Sequence, residues 1–67
     1  MILNFPNTTT HIESDYLIGI PIERMAVIHA GVEQRSIGNV SSYDISIGRI
    51  NFENDLTDSD YPTIVII

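Results

Sequence analysis

Thirteen of the 67 residues are isoleucine, and they gather around 18–22, 45–50 and 64–67. A side chain branched at Cβ is confined in a helix and fits the pleated surface of a sheet well. No cysteine is present, so neither a disulfide nor a zinc–thiolate site braces the fold. One small domain, residues 1–67, is expected from this length. Such a domain buries only about 60% of the surface its unfolded chain exposes. Dense aliphatic packing, a non-thiolate metal or a second chain must supply the rest.

The apolar pattern predicts an α+β fold: a mostly antiparallel sheet of four or five short strands with one helix over 21–30. Ile2 to Phe5 reads as an edge strand ended by Pro6, and Tyr16, Ile18 and Ile20 alternate as a second strand. Pro21 suits a first helical position and Glu23 the positive end of a helix dipole. Ile22, Met25, Ala26 and His29 then recur at helical spacing, and Gly31 has the form of a C-terminal cap. The rival is all-β, because Ala26, Ile28, Ala30 and Val32 also alternate. Residues 34–42 read as loop or hairpin turn, with a short strand within 32–37. Tyr43, Ile45 and Ile47 form a half-buried strand, and the parity changes at Ile50 and Phe52. Either a bulge at Gly48–Arg49 or two separate strands would change it. Thr63 to Ile67 is an unbroken β-branched run, read as a central strand or one paired with another chain.

Charge narrows the partners. Nine acids stand against three arginines and no lysine, for a net charge of −6. Nucleic acid and anionic membrane both call for a basic footprint, so neither is expected as a direct partner. No apolar run approaches the roughly 18–20 residues of a membrane span. The first residues carry no basic region followed by a long apolar stretch, which makes the cytoplasm the default location. Asn7-Thr8-Thr9 and Asn39-Val40-Ser41 match the glycosylation sequon and are read as chance matches.

Chemistry-bearing clusters are few. His11, Glu13 and Asp15 would share one face of an extended strand, a donor set suited to manganese, iron or zinc. Polar alternation on a solvated strand face accounts for them more simply. Glu53, Asp55, Asp58 and Asp60 form an oxygen-rich loop, but the glycine and terminal glutamate of an EF-hand are missing. No metal site and no cofactor are therefore expected. Catalysis is not expected either: a thiol nucleophile is excluded, no activated-serine context occurs, and the four glycines are isolated. His29 reads as a packing residue in the last turn of the expected helix, beside its dipole.

Size and charge together give a non-enzymatic binding module that blocks a basic protein, such as a nuclease or a nucleic-acid-binding complex. Inhibitors, immunity proteins, antitoxins and phage anti-defence proteins are often built this way. Glu53, Asp55, Asp58 and Asp60 are the expected contact acids, with Tyr61 as an aromatic anchor. The alternative is an assembly subunit that self-associates as a homo-oligomer through Ile64, Val65, Ile66 and Ile67.

Overall fold

The computed structural model describes residues 1–5, 10–56 and 61–67. Its seven strands are β1 (Ile2–Asn4), β2 (His11–Glu13), β3 (Met25–His29), β4 (Val32–Glu33), β5 (Val40–Asp44), β6 (Arg49–Phe52) and β7 (Thr63–Ile66). They form two antiparallel sheets, one ordered β1-β7-β3-β4 and the other β2-β6-β5. The fold is thus all-β, and the expected helix over 21–30 is absent.

The reason lies in residues 21–32. Pro21 and Glu23 do begin a helical turn, but it is a single 3-10 turn over Ile22–Arg24. From Met25 onward the alternation wins: Met25, Val27 and His29 are buried while Ala26 and Ile28 are half-buried. A helix would have split Val27 from Met25 and His29. As a strand, the segment aligns Val27 with Ile64 and Met25 with Ile66 on β7. Gly31 is not a helix cap. Ala30 and Gly31 both have positive φ, 50° and 77°, and they connect His29 to its partner Val32. Positive φ at both central residues is the geometry that suits the right-handed twist of a two-residue hairpin.

Two further strand expectations need correction. Tyr16, Ile18 and Ile20 are not a strand. Ser14 Oγ accepts from the Tyr16 N–H at 3.2 Å and starts a 3-10 turn over Asp15–Leu17. Only Leu17 of that turn is buried. Likewise β5 ends at Asp44, and Ile45 and Ile47 lie on the connection to β6 rather than on a strand. The parity change therefore reflects two separate strands, and the irregularity in their pairing sits between Val40 and Ser42. The expected strand within 32–37 is confined to Val32–Glu33.

The core draws on both sheets. Ile12, Met25, Val27, Ile50, Phe52 and Ile64 meet Leu17 and Leu56 from the connecting segments. Leu56 is buried although it directly follows the exposed acids Glu53 and Asp55. Burying one such aliphatic or aromatic side chain is worth about 1.5–3 kcal/mol, which is how a cysteine-free chain holds together.

Candidate functional site

Glu53 and Asp55 follow directly on β6, and both are exposed. Their backbone is fixed by a buried polar network that the sequence did not reveal. Asn39 is 8% exposed and Gln34 is 4% exposed. The Asn39 side chain grips Asn54 twice: Oδ1 accepts from the Asn54 N–H at 2.7 Å, and Nδ2 donates to the Asn54 carbonyl at 3.2 Å. Nδ2 also donates to Gln34 Oε1 at 2.7 Å, while the Asn39 carbonyl accepts from the Glu53 N–H at 2.8 Å. One asparagine thus acts as a surrogate strand partner and holds the acidic segment with its carboxylates outward. The buried Asn39 amide is committed to these bonds.

Tyr61 is exposed beside Pro62, which is buried. Asp58 and Asp60 lie outside the described residues, as does Asn7-Thr8-Thr9. Of the terminal run, Ile64 is fully buried, Val65 and Ile66 are half-buried, and Ile67 is exposed. Both backbone edges of β7 are filled within the chain, by β1 on one side and β3 on the other.

The set His11, Glu13 and Asp15 is not brought together. Strand β2 stops at Glu13 and Asp15 turns away in the following 3-10 turn. His11 Nδ1 is 2.9 Å from Thr10 Oγ1, and Glu13 faces Arg49. Among the described residues no three histidine or acidic side chains converge on a metal-sized site, and no cavity forms. No described helix is long and apolar enough to cross a membrane. His29 is buried at the end of β3, with Nε2 lacking a hydrogen-bond partner among the described residues. Its expected place beside a helix dipole disappears with the helix.

Family models, curated proteins and solved structures offer no counterpart of the chain.

The electrostatic layout is the informative part. All three arginines are held by the chain's own groups. Arg24 Nε donates to the Ile67 oxygen at 2.7 Å, and an Arg35 Nη1 bond reaches the Met25 carbonyl at 2.7 Å. Arg49 Nε donates to Asn51 Oδ1 at 2.9 Å, and its Nη1 lies 3.5 Å from Glu13. That last pair is the one salt bridge among the described residues. Glu33 is also spent internally, accepting from the backbone N–H groups of Val27, Arg35 and Ser36. Burial alone would raise its carboxyl, but those three donors and the Arg35 charge together hold it below its ordinary value. Asp15, Glu23, Asp44, Glu53 and Asp55 remain exposed to solvent. The surface charge is negative because nine acids outnumber three arginines, and each arginine already has an acceptor within the chain.

Proposed function

We propose that this chain is a non-enzymatic protein-binding domain that docks a basic protein, of the kind that acts on or binds nucleic acid. The observation that supports this most is the division of charge. Arginines are engaged by internal acceptors, whereas Glu53 and Asp55 stand outward on a backbone clamped by Asn39. Outward carboxylates on a domain of net charge −6 attract a cationic surface and speed encounter. Tyr61, exposed, supplies the aromatic contact of such an interface, and Asp58 and Asp60 extend the acidic run in sequence. The test is capture of partners from lysate of the source cells on the wild-type chain and on E53K/D55K. A basic protein retained by the first, released by rising salt and lost with the second, is the expected result. Retention unaffected by the double reversal contradicts the reading.

A second reading, self-association, is favoured by one feature. Ile2 is 66% exposed and pairs across to Val65, whose other neighbour is Ala26. This apolar row lies on the outer face of the four-stranded sheet, near exposed Ile67. With both edges of β7 filled, a second copy would pack on that face rather than add a strand. Sedimentation at micromolar concentration decides it: a monomer for wild type contradicts self-association, and a dimer broken by V65K supports it.

A further inference from the structure

Four large apolar side chains stand in solvent on two turns: Tyr16 is 67% exposed, Ile18 46%, and Ile45 and Ile47 44% each. The turns are far apart in sequence but locked side by side. The Gly19 N–H donates to the Ile45 carbonyl and the Ser14 N–H to the Gly48 carbonyl, both at 3.0 Å. Gly48 is buried against the Ser14 carbonyl, with Leu17 Cβ and the Ile18 nitrogen close by. Beneath them, the Tyr43 hydroxyl shares its proton between the Leu17 and Ile20 carbonyls, 2.7 Å from each. The exposed side chains are therefore presented on a platform with little backbone freedom left to lose on binding. Grouped exposed apolar side chains with a polar rim mark interaction sites.

The rim says what kind of partner fits. Asp15 and Asp44 are exposed beside these turns, and Asp44 is fixed by the Ser46 N–H and hydroxyl. Arg49 is the nearby cation, across from Asp44 and Glu13 on the adjoining strands. Its guanidinium is turned to Asn51 and Glu13, so three acids oppose one arginine. Strand addition at the neighbouring edge of β5, which no described strand pairs, is discouraged by the irregularity between Val40 and Ser42. Recognition by side chains remains.

We propose that Tyr16, Ile18, Ile45 and Ile47, rimmed by Asp15 and Asp44, form a docking patch for a basic protein surface with an apolar centre. The proposal rests on the acidic-module reading but assigns a contact surface apart from Glu53 and Asp55. The test is amide chemical-shift mapping on the full chain with three peptides: one of lysine and leucine, one of lysine and serine, and one of glutamate and leucine. The lysine–leucine peptide is expected to shift amides 14–19 and 44–48 saturably and more tightly than the other two. I45S/I47S and, separately, Tyr16→Ala are expected to weaken it about tenfold, as loss of an interface anchor does, with the remaining spectrum unchanged. Equal binding of the lysine–serine peptide, mapping to 53–55, overturns the patch and leaves the acidic reading standing. Equal binding of the glutamate–leucine peptide, or no saturable shift with lysine–leucine, also overturns the patch. Loss of the captured basic partner on E53K/D55K is scored separately, so the two readings fail independently.

Discussion

Replacing Gly48 by alanine isolates the contact that locks the two turns together. Gly38 and Gly48 have similar backbone angles, φ +76° and +67°. An alanine at either position meets the left-handed penalty, roughly 1–2 kcal/mol, of which part is offset by the less flexible unfolded chain. At Gly38 nothing lies within 4 Å of the added Cβ, so the cost there is about 1 kcal/mol. At Gly48 the new Cβ would run into the Ser14 carbonyl oxygen and crowd Leu17 Cβ and the Ile18 nitrogen at 3.1 Å each. Two of those atoms are backbone, and the Ser14 N–H to Gly48 carbonyl bond keeps them from moving apart. Overpacking of this kind adds about 1–3 kcal/mol. The sum at Gly48, about 2–4 kcal/mol, is a large part of the roughly 3–10 kcal/mol that a chain of 67 residues commonly has. Each kcal/mol moves the melting temperature by about 4–8 °C in a domain this small. Thermal unfolding followed by circular dichroism should therefore show Gly38→Ala melting slightly below wild type and Gly48→Ala far below it or unfolded. Equal melting temperatures for the two variants would refute the packing of residues 14–18 onto Gly48.

Ala30 carries positive φ in the hairpin of β3 and β4, so Ala30→Asn should stabilise by about 0.5–1 kcal/mol; a lower denaturation midpoint contradicts the turn assignment. Asn39→Ala strands Gln34 Oε1 and the Asn54 N–H, and should cost about 2–6 kcal/mol at roughly 1–3 kcal/mol per unsatisfied group. Urea unfolding measures that loss. Because the Glu33 carboxyl is held below its ordinary value when folded, its contribution is fully present above the unfolded value and is lost as pH falls through the folded one. Wild type should accordingly exceed Glu33→Gln in stability at neutral pH, and the gap should close in acid; a gap independent of pH contradicts the network around Val27, Arg35 and Ser36.

Part of the strand content could be read from side chains alone, and the errors have two causes. The segment Thr63–Ile66 was legible as a central strand, and it lies between β1 and β3. Only Ile64 of the run is fully buried, however, and the face carrying Val65 is half-covered. Residues 21–30 misled because Pro21 and Glu23 are helix-starting residues whose local signal is real but lasts one turn. What overrides it is nonlocal: β7 needs a second neighbour, and only pairing reveals that Met25–His29 supplies it. Ile45 and Ile47 alternate like a strand yet sit on a turn, since Asp44 and Ser46 capture the backbone locally. At the candidate site, the exposure of Glu53, Asp55 and Tyr61 agrees with the polar reading. The clamp by Asn39 was not readable, because an asparagine in a turn and one buried as a surrogate strand have the same local sequence. Neither was the docking of residues 14–19 on 45–48, although an isolated glycine before a strand is the signal of close backbone approach.

The dependence of binding on ionic strength bears most directly on the central claim, that outward carboxylates on a rigid domain grip a basic partner. Titration calorimetry of the retained partner with wild type and with E53K/D55K, at a series of salt concentrations, measures it. Affinity for wild type should fall steeply as salt screens the attraction, and the double reversal should be weaker at low salt with a flatter dependence. The same salt slope for both proteins would show that Glu53 and Asp55 take no part in binding and would contradict the claim.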